Sequence, residues 1–104
     1  MEDYRPICQE HELSPGKSRR VEIDGTAIAV FNVDGVLYAM EDTCLHAGGP
    51  LSEGRIEGTM VICPWHDWQY DLETGCTPFN NKISLACFPV RIREGTIEVS
   101  PRPF

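Results

Sequence analysis

Beyond Lys17 the chain alternates apolar and polar residues with a period of two, the spacing of a strand buried on one face. Val21 and Ile23 alternate with Glu22 and Asp24; Asp24-Gly25 breaks the run, and Thr26-Ala27-Ile28-Ala29-Val30-Phe31 follows. Asp34-Gly35 precedes Val36-Leu37-Tyr38-Ala39-Met40, and Glu94-Gly95 separates Val90-Arg91-Ile92-Arg93 from Thr96-Ile97-Glu98-Val99. An acidic residue followed by glycine between apolar runs predicts a hairpin, because a type I′ turn requires positive φ at both central positions. Arg5 to Cys8 reads as a short first strand, and Ser14-Pro15-Gly16 as a turn. No stretch sustains a helical period, and the eight prolines and nine glycines are spread along the chain. The pattern predicts an all-β, antiparallel protein, most simply a small sandwich or barrel.

The alternation is interrupted after Glu41. Cys44-Leu45-His46-Ala47-Gly48-Gly49-Pro50 follows the strand that ends there. Thr59-Met60-Val61-Ile62 is a short apolar strand running straight into Cys63-Pro64-Trp65-His66. Gln69-Tyr70-Asp71 continues the chain, Thr74-Gly75 makes the next turn, and Cys76 to Asn81 forms a third loop. Two strand-tethered loops would then face each other on a β base.

Composition narrows the class. The 104 residues predict a single domain over 1–104, and a hydrophobic content of 41% suits a globular core. The net charge of −7 is scattered along the chain, which disfavours nucleic acid and anionic membrane surfaces and suits a basic protein partner or plain solubility. The start, Met1-Glu2-Asp3-Tyr4, lacks the features of a signal peptide, and no run approaches the roughly 18 apolar residues of a membrane span. A cytoplasmic monomer is expected.

The chemistry lies in the interruption. Cys44-x-His46 and Cys63-x-x-His66 each join one thiol to one imidazole, whereas zinc fingers usually pair like with like. One soft and one borderline donor per loop suits a site with two unlike metal positions. A [2Fe–2S] cluster with cysteines on one iron and histidines on the other needs that mixture. The two pairs, Gly48-Gly49-Pro50, Pro64, Tyr70-Asp71 and Thr74-Gly75 resemble the Rieske-type ferredoxins, and the similarity covers most of the chain beyond Thr26.

The resemblance implies a Rieske fold, with a base and an inserted cluster-binding subdomain at approximately 43–80. It assigns Cys44 and Cys63 to one iron and His46 and His66 to the other. Gly48 and Gly49 would let backbone amides reach the sulfurs, Tyr70 matches a phenolic donor, and Trp65 and Trp68 would shield the cluster and pack its loops. High-potential relatives carry a disulfide where Gly49 and Trp65 stand here, and a serine where Trp68 stands. Their absence implies a potential in the low part of the range from about −150 to +300 mV. Asp67 replaces a common glycine after the second histidine; aspartate tolerates left-handed backbone, and its charge either opposes an incoming electron, serves docking, or is simply solvated.

The resemblance further implies a soluble one-electron carrier, without a catalytic site of its own, between a flavin-dependent reductase and a terminal oxygenase or other redox enzyme. A terminal oxygenase itself is not expected. Its mononuclear iron takes two histidines and a carboxylate, and outside the motif only His11 remains, between two carboxylates and read as solvated. No second domain is expected after Phe104. A Rieske-like small subunit of assimilatory nitrite reductase and a zinc-stapled interaction module are the alternatives. Cys8, Cys76 and Cys87 are expected to be small buried hydrophobes, with Cys76 in a loop near the cluster but not a ligand.

Overall fold

Three of the acidic-Gly dipeptides, those between the long apolar runs, make the turn expected of them. φ is +51° and +83° at Asp24 and Gly25, +51° and +92° at Asp34 and Gly35, and +52° and +79° at Glu94 and Gly95. The structure, a computed structural model, describes residues 3–44, 48–65, 67–78 and 80–104, with the side chains of 80–83 excepted.

Twelve antiparallel strands are described: β1 (Arg5–Gln9), β2 (Ser18–Ile23), β3 (Thr26–Val33), β4 (Val36–Glu41), β5 (Arg55–Glu57), β6 (Met60–Ile62), β7 (Gln69–Asp71), β8 (Cys76–Thr77), β9 (Asn80–Ser84), β10 (Cys87–Phe88), β11 (Val90–Arg93) and β12 (Thr96–Val99). Among the described residues the helical elements are two 3-10 turns, Glu10–Glu12 and Leu51–Glu53. No helix there is long and apolar enough to cross a membrane.

The base has two sheets, one ordered β1-β12-β11 and the other β10-β4-β3-β2. The hairpins set the register: Ile23 faces Thr26, Val33 faces Val36, and Arg93 faces Thr96. The metal-site side carries β5-β6-β7 and the hairpin β8-β9. The segment from Cys76, expected as a loop, is therefore partly a ladder. Cys76 pairs with Ser84 and Thr77 with Asn80 across a hairpin whose register shifts between Cys76 and Thr77, an irregularity that period-two patterning does not reveal.

Strand β3 is buried on both faces. Ile28 and Val30 enter a core with Cys8, Leu13, Ile23, Ala39, Phe88, Ile97 and Val99, between the two base sheets. Ala29 and Phe31 enter a second core with Met40, Cys44, Leu51, Val61, Cys63, Tyr70, Leu72 and Leu85. This double burial explains why β3 reads as a near-continuous apolar run. The second core is the floor on which the two cysteine loops stand.

Candidate metal centre

Cys44 leaves β4 after Asp42-Thr43, and Cys63 follows β6 directly, so two rigid strands deliver the two thiols to one place. Both cysteines are buried, at 1% and 0% exposure, and none of the five cysteines is in a disulfide. The first loop folds on itself: the Cys44 amide donates to the Gly49 carbonyl at 2.9 Å, and the Gly48 amide to the Cys44 carbonyl at 2.7 Å. In the second, the Cys63 amide donates to the Trp68 carbonyl at 2.7 Å.

The glycines divide the work. Gly48 has φ +74° and open space around it, so it serves the turn; its amide is committed to Cys44 O and not to a sulfur. Gly49 provides the close approach. A Cβ there would lie 2.8 Å from Cys63 Sγ and 3.1 Å from the Trp65 ring. Gly49 and Trp65 thus stand against each other.

Around the sulfurs, the Tyr70 hydroxyl lies 3.4 Å from Cys44 Sγ, and the Trp65 amide donates to Cys63 Sγ at 3.4 Å. Burial pushes the Cys63 thiol up; the Trp65 amide opposes this, while the Cys44 thiol and the Asp67 charge add to it. Trp68 is half-buried against the metal-side core, as a packing residue should be. Trp65 is 47% exposed, so it covers Gly49 with one face and offers the other to solvent.

Asp67 adopts φ +56°, the left-handed conformation expected where a glycine is common. Its carboxylate is exposed and lies 3.8 Å from Arg55 Nη1, a partner that sequence reading did not supply. His46 and His66 lie outside the described residues. His11 is exposed. Of the other cysteines only Cys8 is buried; Cys76 and Cys87 are partly exposed, which corrects the expectation for those two. Cys76 sits at a hairpin edge, and Cys87 on the two-residue strand β10, too short to close over its side chain.

The model of the Rieske [2Fe–2S] domain matches residues 3–89. The chain belongs to the Rieske [2Fe–2S] domain family. Among its Rieske relatives, ferredoxin CarAc of Metapseudomonas resinovorans is 36% identical over 101 residues, covering 90% of each chain. The ferredoxin component of the naphthalene 1,2-dioxygenase/salicylate 5-hydroxylase systems of a Ralstonia species is 36% identical over 84 residues, covering 78% of this chain and 79% of that one. The structure superposes with a TM-score of 0.90 on a chain of the complex of reduced oxygenase and oxidised ferredoxin in carbazole 1,9a-dioxygenase, at 31% identity over 100% of this chain and 98% of that one. The small subunit attributed to an NADH-dependent nitrite reductase of Mycobacterium tuberculosis superposes at 0.91, over 100% and 99% of the two chains; at 24% identity the likeness is of fold alone.

The protein is a Rieske-type ferredoxin, an electron carrier whose cofactor is a [2Fe–2S] cluster. Its described residues fit that cofactor. Two buried thiols converge without forming a disulfide, beside a backbone from which a Cβ is excluded, with a hydroxyl and an amide aimed at the sulfurs. The Cys63 thiol, pushed up by burial, holds its proton without a metal and gives it up when it ligates one. Membership sets aside the zinc-stapled module.

Proposed function

We propose that this ferredoxin takes electrons one at a time from a flavin-dependent reductase and gives them to a terminal oxygenase. The observation that carries the reading is the match, over the whole of this chain, to one chain of a ferredoxin–oxygenase complex, joined to a thiol site with glycine, tyrosine and amide partners. Cys44 and Cys63 would hold one iron of the cluster, and His46 and His66 the other. When bound, the cluster takes up and releases a single electron, at a potential in the low part of the range from about −150 to +300 mV.

The chain's own residues do the rest. Tyr70 and the Trp65 amide direct positive dipoles at the sulfurs and so favour the more negative state. Val61, Leu51 and Phe31 keep water from beneath the site. The exposed face of Trp65 and the charge of Asp67 belong to the surface presented to a partner. Docking there is brief and small, burying no more than about 1,200 Å² in total, and the net charge of −7 steers a basic partner, with turnover falling as salt rises. Five cysteines without a disulfide suit a reducing compartment, and we place the protein in the cytoplasm as a monomer.

The deciding experiment measures iron and acid-labile sulfide in anaerobically purified protein, with an EPR spectrum after reduction. It then follows reoxidation of the reduced protein on mixing with a ring-hydroxylating oxygenase. Two irons, two sulfides and acceptor-dependent reoxidation support the reading; colourless protein, or reduced protein indifferent to the oxygenase, overturns it.

A further inference from the structure

Alone among the described charged residues, Asp42 is buried, with its side chain 0% exposed, and the metal site does not use it. Its oxygens are nevertheless fully engaged. Oδ1 accepts the Ser52 amide at 2.6 Å; Oδ2 accepts the Ser52 hydroxyl at 2.6 Å and Arg20 Nη1 at 2.9 Å. The Asp42 amide donates to the Ala27 carbonyl at 3.0 Å, and the Ser18 hydroxyl donates to the Ser52 carbonyl.

The positions of these partners give the network its meaning. Asp42 and Ser52 stand at the two ends of the loop that contains Cys44, His46, Gly48 and Gly49. Ser18 and Arg20 belong to β2, and Ala27 to β3. Among the described residues, the backbone bonds Cys44 to Gly49 and Gly48 to Cys44 are internal to the loop. Burying a carboxylate is costly, and an apolar substitute at such a site often does as well for stability. What an apolar residue cannot do is grip both ends of a loop in one register.

We propose that Asp42 is a positioning residue: with Ser52 and Arg20 it closes the neck of the Cys44 loop and fixes the Cys44 thiol over Cys63. The clamp rests on the reading that this loop holds the cluster. Arg20 is half-exposed, so its part is to complete the acceptor set of Oδ2; Ser52 is the direct link across the neck.

The test uses holoprotein. Iron and sulfide content of the parent examines the cluster reading; the ratio of variant to parent examines the clamp. Asp42→Asn keeps the shape and turns a donor toward Arg20. Losing a hydrogen bond to a charged group should speed amide hydrogen exchange across 42–54, and bleaching of the visible spectrum by excess chelator, by about tenfold. Exchange in β11 and β12 should stay within about twofold of the parent, and the EPR signal of the reduced protein should broaden. Arg20→Lys should restore most of what Arg20→Met loses. Should Asp42→Asn fail to fold, Ser52→Ala removes one donor only and should show the same local pattern at about threefold. Uniform acceleration of exchange in all strands, or chelator bleaching and EPR unchanged in these variants, would overturn the clamp.

Discussion

The Tyr70 hydroxyl lies 3.4 Å from Cys44 Sγ at the closed floor of the metal site, on a side chain wholly removed from solvent. A ligated cysteine is a thiolate and can only accept, so the phenol is then the donor. Its bond strengthens as the site gains negative charge. Tyr70→Phe should therefore lower the reduction potential. A differential loss of about 1 kcal/mol corresponds to roughly 45 mV for a one-electron couple. A redox titration giving the same potential for variant and parent would remove Tyr70 from the electrostatics.

Asp67 and Arg55 should act in opposition. Asp67→Gly removes a negative charge next to His66 in sequence and should raise the potential; Arg55→Gln leaves Asp67 less compensated and should lower it by less. Both groups are exposed, so both shifts should shrink as ionic strength rises. Titrations at low and high salt check this, and an unchanged potential in Asp67→Gly would sink it.

The two neighbouring glycines should fail differently. Gly49→Ala places a Cβ 2.8 Å from Cys63 Sγ, with the Trp65 ring at 3.1 Å behind it, so iron content after purification should fall steeply. Gly48→Ala meets open space and suffers only left-handed strain, about 1 kcal/mol, so it should retain cluster and melt slightly earlier. Equal iron content in the two variants would contradict this division.

Gly54 makes a sharper demand. Its Cβ would lie 2.1 Å from the Ile62 carbonyl oxygen, in β6 just before Cys63. Gly54→Ala should destabilise the protein by at least about 2 kcal/mol, measured by denaturant unfolding, with cluster loss first. A change below about 0.5 kcal/mol would mean that the two segments part easily.

Alkaline pH should weaken the base. Burial pushes the Cys8 and Cys87 thiols above their ordinary value of 9.0, helped by Glu12 and opposed by Arg19 for Cys8, and helped by Cys76, Asp71 and Glu41 for Cys87. Between the unfolded and folded values the native state holds more protons than the unfolded one, so stability declines as pH rises. Stability associated with these thiols is complete below 9.0 and fades above it. Denaturant unfolding across that range should show the decline, and Cys8→Ala with Cys87→Ala should flatten it relative to the parent.

Features decided by neighbouring residues were legible in the chain. The acidic-Gly turns declare their φ, the apolar alternation declares its strands, and the paired Cys and His spacing declares its chemistry. Asp67 could be read as left-handed because the strain is local. Long-range contacts left weaker traces. Asp42 looks like any polar residue before a loop, and only the return of Ser52 onto it makes it a buried anchor. Gly54 has φ −79°, which any residue could adopt; its necessity comes from a strand that passes beside it. The exposure of Cys76 and Cys87 depends on the shortness of β8 and β10, and that is fixed by tertiary pairing.

Strand β3 faces two interiors at once, and this forbids a simple transplant. A piece cut at residues 43 and 80 would take both thiols with it but leave Ala29, Phe31 and Met40 behind. The excised iron carrier would have walls and no ground beneath them. Evolution or engineering can redecorate the exposed tip freely, but moving the redox centre to another scaffold means moving its supporting sheet as well.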